Sequence, residues 1–362
     1  MAKKRYGLSV ITYTYNDQAL AAGLLDSLAG WDCLPREILV VDDGSSVPFT
    51  APPGSGARVI RLEANRGPAQ AKIVGLSAAT GRFLLSLDAD IRLDPDWVTR
   101  LLPVAARPDV GIAATPIRCE AGSGLLADYQ RLLYSLHLGR SGPVEMAPAG
   151  VWLLRREIWA HHGFAGYPGR LHEDVHFSEK LRRLGLTLWL AAGPEARQIR
   201  RLSRLTIVRR GWIWQGREFL AVARTEVISA LNALLMSVRR RLAAHGAVDE
   251  RFWYYDYLYA AYALADLLRE AGRPETELAW LTGLCAGELP APARRIFLAD
   301  MAGLGFPCAA SGREGEGGFP GEIRRALASL LPDSFATAVN AAVPHLLAED
   351  RCRDWHFSFY DG

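Results

Sequence analysis

The sequence predicts an α/β domain over residues 1–220, followed by an all-α domain over 221–362. Three observations carry that prediction. Short apolar runs alternate with helically spaced segments through the first ~115 residues, the pattern of a doubly wound sheet. Two acidic clusters stand directly after apolar runs. From about residue 218 onward the pattern is helical throughout, with no segment that reads as a strand.

Taken in order, Gly7–Thr12 is a buried strand and Gln18–Ala29 a Leu- and Ala-spaced helix. Glu37–Val41 is a second strand, ending in Asp42-Asp43-Gly44-Ser45, and Arg58–Leu62 a third. Pro68–Ala79 reads as a helix with proline in its first turn, where the missing N–H is harmless. Phe83–Leu87 is a fourth strand, ending in Asp88-Ala89-Asp90, and Asp94 is the expected N-cap of the next helix. Apolar strands alternating with helices imply a parallel sheet covered on both faces, with ligands beyond the strands' carboxyl ends. Both acidic clusters fall there. Further on, Val110–Thr115, Val151–Leu154 and Leu186–Leu190 read as strands, and Leu125–Leu138 and Val175–Leu184 as helices. The second domain reads as Phe219–Leu242, Phe252–Glu270, Glu275–Leu284, Arg294–Met301 and Gly321–Leu331, with Gly/Pro-rich breaks at Gly287–Pro292 and Cys308–Gly321.

The chain has 362 residues, 50% hydrophobic and 22% charged, which excludes wholesale disorder and fibrous classes. No window holds 18 uninterrupted apolar residues, and the first apolar run is too short for a signal peptide. The five cysteines are odd in number and scattered, which argues against a disulfide framework and for a cytoplasmic location, including the inner face of the membrane. Residues 1–241 hold 32 Lys and Arg against 22 Asp and Glu. Much of that excess is one run: Lys180, Arg182, Arg183, Arg197, Arg200, Arg201, Arg204, Arg209, Arg210 and Arg217. Such a run suits phosphates, a peripheral membrane contact or a solvated helix face; no feature points to nucleic acid.

Asp88-Ala89-Asp90 is the most informative motif. Two carboxylates two apart at a strand end can share a hard divalent cation such as Mg²⁺ or Mn²⁺, which keeps positions for water and diphosphate oxygens. Four elements occur in order: Tyr13-Thr14-Tyr15-Asn16, Val41-Asp42-Asp43-Gly44-Ser45, Asn65-Arg66-Gly67 with Lys72, and Leu87-Asp88-Ala89-Asp90. In this set the sequence resembles the family 2 glycosyltransferases, of Rossmann-like GT-A fold, over roughly residues 7–217.

The resemblance implies a nucleotide-sugar donor, usually a UDP-sugar, a divalent metal, and transfer with inversion to a glycan, lipid or protein acceptor, as in polysaccharide biosynthesis. It assigns Thr14, Tyr15 and Asn16 to the first nucleotide-contacting loop. It assigns Asp42 and Asp43 to recognition of the base's ring N–H, with Asp43 favoured, an acceptor that suits uracil or guanine. Gly67 and Lys72 fall near the base and phosphate, although Ile73 stands where the family often has Asn. Asp88 flanks the ribose or metal, and Asp90 ligates the metal directly.

His172-Glu173-Asp174 follows Tyr167-Pro168-Gly169 and opens a helix. An inverting transfer needs one carboxylate to take the acceptor's proton. The resemblance makes Asp174 that base, with Glu173 positioning the acceptor or a neighbouring loop. Gly150 in Ala149-Gly150-Val151-Trp152 resembles the acceptor-side turn, and Arg209, Arg210, Trp214 and Arg217 resemble the region that contacts the sugar diphosphate.

Two alternatives stand beside this reading. His172-Glu173-x-x-His176 also fits a zinc-peptidase signature, with Glu195 as a third ligand. That site needs a helix formed before its first His, whereas Pro168-Gly169 puts His172 at the helix mouth. The other alternative is a non-catalytic nucleotide-sugar or glycan binder on the same fold. The aromatic run Phe252–Tyr257 reads as core or as a glycan-facing surface.

Overall fold

The computed structural model describes residues 3–164, 167, 169, 172–223, 225–306, 323 and 327–349. The chain divides into two compact units: residues 1–122 with 130–201, and 123–129 with the described residues from 202 onward.

The first unit runs β1 Lys4–Arg5, β2 Leu8–Thr14, α1 Gln18–Ser27, β3 Cys33–Leu34, β4 Glu37–Asp42, β5 Ala57–Arg61, α2 Pro68–Ala78, β6 Phe83–Leu87, β7 Ile91–Leu93, α3 Trp97–Ala105, β8 Val110–Ala114 and β9 Ile117–Cys119. It continues through α4 Leu125–Tyr134, β10 Gly142–Val144, β11 Val151–Arg155, α5 Arg156–His162, α6 Glu173–Arg183, β12 Thr187–Leu190 and β13 Ala196–Gln198. An eight-stranded sheet has the order β10-β12-β8-β11-β6-β2-β4-β5. The expected all-parallel sheet is corrected here. β6, β2, β4 and β5 are parallel, but β11 runs antiparallel to both β6 and β8, and β10 antiparallel to β12. The sheet is mixed α/β, and residues 91–119 and 196–198 add a small sheet ordered β7-β13-β9.

Period-two alternation sorts the strand residues onto two faces. Val10, Val40 and Leu85 pack with Leu24 of α1 and with Trp97 and Leu101 of α3. Ile11, Leu39 and Leu84 pack with Leu76 of α2, Ile158 of α5, and Phe177 and Leu181 of α6. Helix α2 lies close on the sheet because residue 75 is glycine: a Cβ there would stand 2.4 Å from Ile11 Cγ2. The cap of α3 is Asp96, not Asp94; Asp94 instead accepts the Trp97 N–H through its carbonyl, one turn early.

The second unit continues with α7 Arg204–Gln215, α8 Arg217–Ala223, α9 Val227–Gly246, α10 Trp253–Glu270, α11 Glu275–Gly287 and α12 Ala291–Gly303, and includes a helix over Phe335–Ala348. The single helix expected over Phe219–Leu242 is two, because the chain turns after Val222, whose carbonyl accepts the N–H of Thr225 and of Glu226. α10 is buried along nearly its whole length, with the Asp256 carboxylate fully enclosed. The Phe252–Tyr257 aromatic run is core: Tyr254 OH donates to Asp300 at 2.7 Å and Tyr257 OH to the Cys285 carbonyl at 2.9 Å. The loop over Cys308–Gly321, Cys308, Cys352 and most of the Gly321–Leu331 segment lie outside the described residues. Among the described residues no helix is long and apolar enough to cross a membrane.

Candidate active site

Thr14 pairs with Asp42 at the carboxyl ends of β2 and β4, and Ile11 of β2 pairs with Ser86 of β6, which sets the three motif loops on the same edge of the sheet. Thr14 is buried at the end of β2, and its carbonyl accepts the Asp43 N–H at 2.9 Å. Asn16 takes a left-handed conformation, φ 51°. Its N–H donates to Ser45 Oγ at 2.9 Å, and its Oδ1 accepts from Ser46 N at 2.8 Å. Tyr15 lies half-buried between them.

Asp42 and Asp43 are both fully buried, and both tie down backbone. Asp42 accepts from Ser45 N at 3.0 Å, Phe49 N at 2.9 Å and the Arg61 guanidinium. Burial alone would push its carboxyl up; the hydrogen bonds from Ser45, Phe49 and Arg61 outweigh it and hold the group below the usual carboxylate range. Asp43 accepts from Arg66 N at 2.8 Å and Gly67 N at 2.9 Å. The pair expected at the base is thus built into the loop framework. Gly67 caps α2 at φ 88°, and Gly44, at φ 73°, lets the two loops meet: a Cβ there would stand 2.5 Å from the Ala64 carbonyl carbon.

Lys72, expected near the base and phosphate, is instead 1% exposed inside the unit. Its Nζ donates to Glu173 Oε1 at 2.6 Å and to the Ala149 carbonyl at 3.0 Å, and lies 4.6 Å from the centroid of the Trp152 ring. Burial would lower its pKa, but Glu173 and Asp88 beside it raise it, so it stays a cation. Gly150 accepts the Asp88 N–H at 3.0 Å, and a Cβ at 150 would stand 3.5 Å from Asp88 Oδ2.

Asp88 and Asp90 differ sharply. Tyr13 OH donates to Asp88 Oδ1. Among the described residues no hydrogen-bond donor reaches Asp88 Oδ2. Burial, opposed by Lys72 and reinforced by the charge of Asp90, pushes the Asp88 carboxyl up to about 6. Asp90, expected as the direct metal ligand, is pinned by Arg200, whose Nε donates to Oδ2 at 2.6 Å while its Nη2 reaches Asp17 at 2.7 Å. The small sheet imposes this: Ile199 N bonds the Asp90 carbonyl at 2.9 Å, so the chain after β13 carries Arg200 to the carboxylate. Two hard oxygen donors, one of them raised by burial and then by the neighbouring negative charge, fit Mg²⁺ or Mn²⁺, which needs only one or two carboxylates besides phosphate oxygens. The structure points to Asp88 as the more available of the two.

Glu173 and Asp174 open α6, and His172 before them is left-handed at φ 66°. Glu173 is buried on Lys72. Asp174 is half-buried, and its Oδ1 accepts the Val175 N–H at 2.9 Å. Burial, then the charge of Glu173, raises its carboxyl against the opposing pull of Lys72. The zinc alternative finds no support: His172 precedes the helix, Glu173 is taken by Lys72, and Glu195 pairs with Arg118 at 2.7 Å. Among the described residues no three His, Cys, Asp or Glu gather as metal ligands.

The expected diphosphate contacts Arg209, Arg210, Trp214 and Arg217 belong to the helical unit. Arg209 donates to the Gly303 carbonyl at 2.9 Å, Arg210 stacks on Trp214 at 4.4 Å, and Arg217 begins α8. Part of the basic run is ion-paired: Arg183 with Glu179, Arg197 with Asp94, Arg200 with Asp17 and Asp90, Arg204 with Asp300 and Glu349. Sequence reasoning gave Tyr13, Gln70 and Arg200 no role at the site. For Tyr13 the signal was the strand register, since Ile11 pairs with Ser86 and two residues on Tyr13 meets Asp88.

The acidic motifs of this mixed α/β sheet stand at the carboxyl ends of its strands, where open α/β sheets take their ligands. Residues 9–161 match the family model described as glycosyl transferase family 2. The chain is 32% identical over 195 residues to the pre-mycofactocin glycosyltransferase of Mycobacterium tuberculosis, covering 50% of this chain and 40% of that protein. It is 34% identical over 110 residues to the undecaprenyl-phosphate 4-deoxy-4-formamido-L-arabinose transferase of Sodalis glossinidius, covering 28% and 34%. The chain thus spans less than half the length of these relatives. Among solved structures, a mannosyltransferase from Pyrobaculum calidifontis aligns over 96% of this chain and 87% of its own at 18% identity, TM-score 0.42.

Proposed function

We propose that the protein transfers a sugar with inversion from a nucleoside-diphosphate donor, a UDP-sugar, to an acceptor hydroxyl. The observation that carries this reading is the half-buried Asp174 at the start of α6, its carboxyl raised by burial and Glu173, on the same unit as the Asp88-Ala89-Asp90 strand end. A raised carboxyl is the better base for a hydroxyl proton, and general-base assistance contributes about 10²–10⁴-fold. Asp174 takes the acceptor's proton as its oxygen attacks the anomeric carbon and the nucleoside diphosphate leaves from the opposite face. Asp88 and Asp90 would hold Mg²⁺ or Mn²⁺, which when bound neutralises charge on the leaving diphosphate. Gly150, packed against Asp88, keeps the backbone low beside that carboxylate. The two relatives are named for different substrates, one of them undecaprenyl phosphate, whose nucleophilic oxygen belongs to a phosphate; the hydroxyl assignment for this chain rests on Asp174 as the proton acceptor, which an ionised phosphate would not need.

Calorimetric titration with UDP, GDP, dTDP and ADP, each with Mn²⁺ and with EDTA, tests the reading. UDP should bind with metal and weaken in Asp88→Ala, and Asp174→Asn should keep that binding while losing turnover. Absence of binding by every diphosphate would overturn it.

A further inference from the structure

Helix α2 sends two side chains toward the segment that carries the base. Gln70 Nε2 donates to the carbonyls of Tyr167 at 2.5 Å and Gly169 at 3.0 Å. Two residues on, Lys72 meets Glu173 at 2.6 Å and the Ala149 carbonyl at 3.0 Å. The Ala149-Gly150 turn is the one whose Gly150 carbonyl holds the Asp88 backbone. One ammonium therefore joins α2, the turn beneath Asp88 and the first residue of α6. The joint lies next to His172, a non-glycine residue held at φ 66°. Such a conformation persists only where its surroundings over-determine it. A nucleotide cannot reach an ammonium that is 1% exposed and already donates to a carboxylate and a carbonyl.

We propose that Lys72 is a positioning residue for the Asp174 base, acting through Glu173, and is not a contact for the donor nucleotide. The proposal rests on the glycosyl-transfer reading above for its consequence in turnover, but its physical content is independent of it. Among the described residues, the charged groups that act most on Asp174 are Glu173 from its own helix and Lys72 from α2, with His172 just before the helix. Lys72 and Glu173 pull the Asp174 carboxyl in opposite directions. Neutralising each should therefore move it oppositely, which a purely structural role does not require.

The test is a ¹³C carboxyl titration of Asp174, assigned with Asp174→Asn, in the wild type, Lys72→Met, Lys72→Arg and Glu173→Gln. UDP affinity with Mn²⁺ and the pH profile of UDP-glucose and UDP-N-acetylglucosamine hydrolysis are read on the same samples. Lys72→Met should raise the Asp174 midpoint by about one pH unit, and Glu173→Gln should lower it by a similar amount. Lys72→Arg should restore the wild-type midpoint; removing the Lys72 cation also raises Asp88, so UDP affinity with Mn²⁺ should stay within about twofold only at a pH well above the Asp88 midpoint. An unmoved Asp174 midpoint, or a tenfold loss of UDP affinity in Lys72→Met at a pH well above the Asp88 midpoint, would overturn the proposal. If Lys72→Met does not fold, Glu173→Gln alone decides: no downward shift refutes it. The titration reads Asp174 even where no sugar nucleotide is turned over, so failure of the transferase reading is distinguishable from failure of this one.

Discussion

Asp42→Asn should loosen the whole loop that follows β4. The carboxylate is fully buried and accepts from Ser45 N at 3.0 Å, Phe49 N at 2.9 Å and Arg61. An amide fills the same volume but turns one acceptor into a donor. With its oxygen toward Phe49 and Arg61, the new NH₂ faces the Ser45 N–H; flipped, it faces the other two. The cheaper orientation forfeits one backbone bond and the charge assistance of the others. Hydrogen bonds to charged groups contribute about 1.5–3 kcal/mol each, so the expected loss is about 2–4 kcal/mol. For a unit of this size that lowers Tm by roughly 4–16 °C. The effect should vanish in acid. The folded carboxyl lies below its unfolded value, so its stabilisation is present above the unfolded pKa and is lost as pH falls through the folded one. Wild type and Asp42→Asn should therefore converge at low pH and diverge above about pH 4. Thermal denaturation across pH, with hydrogen exchange at the Ser45 and Phe49 amides, measures both. A variant within about 0.5 kcal/mol of wild type at pH 7, with both amides still protected, would refute the anchoring role.

Gly44→Ala should destabilise by about 2–5 kcal/mol, combining left-handed strain with overlap on the Ala64 backbone. Gly54→Ala, also at positive φ but with nothing within 4 Å of its new Cβ, should cost only the strain, about 1 kcal/mol; denaturation midpoints at equal slope separate the two. In the helical unit, Asp256→Ala strips a fully buried carboxylate from Arg241 at 2.7 Å, Tyr129 OH at 2.6 Å and His245 at 2.8 Å. Leaving Arg241 buried without its counter-charge should cost about 3–5 kcal/mol, readable as a lower Tm with helix content otherwise retained.

The strands of the sheet's centre were legible because their apolar runs are long enough to show a pattern and end at acidic turns. Direction was not: Val151–Arg155 is covered on both faces, and a continuous apolar run looks the same whichever way it is paired. β7, β9 and β13 have three residues each, too few for any alternation, yet they deliver Arg200 to Asp90. The Phe335–Ala348 helix went unread because Pro344 lies inside it, and helical spacing across residues 219–242 concealed the break before Val227. At the site the motifs located the residues but not their orientation. Lys72 and Asp43 are sequence-identical to ligand contacts, and only the fold shows one turned inward on Glu173 and the other wrapped by the Arg66 and Gly67 amides.

That difference supplies a way to sort the carboxylates of this sheet edge. Asp42 and Asp88 have the same chemistry, and both stand at the carboxyl ends of central strands. Asp42 meets backbone N–H groups and a guanidinium on both oxygens, and its carboxyl falls. Asp88 meets one phenol on one oxygen, with Asp90 and Glu173 adding repulsion, and its carboxyl rises to about 6. Asp174 rises for the same reason: among the described residues one backbone donor, Val175 N–H, stands against burial and Glu173. A carboxylate whose lone pairs are filled by the fold stabilises the fold and has little left for a ligand. One left short of donors is costly to keep ionised, and the shortfall is made good by whatever cation or proton arrives. Local rules of polar satisfaction are broken here at Asp88 and Asp174 and kept at Asp42. The under-satisfied pair, rather than the acidic residues as a class, therefore marks where this sheet meets its chemistry.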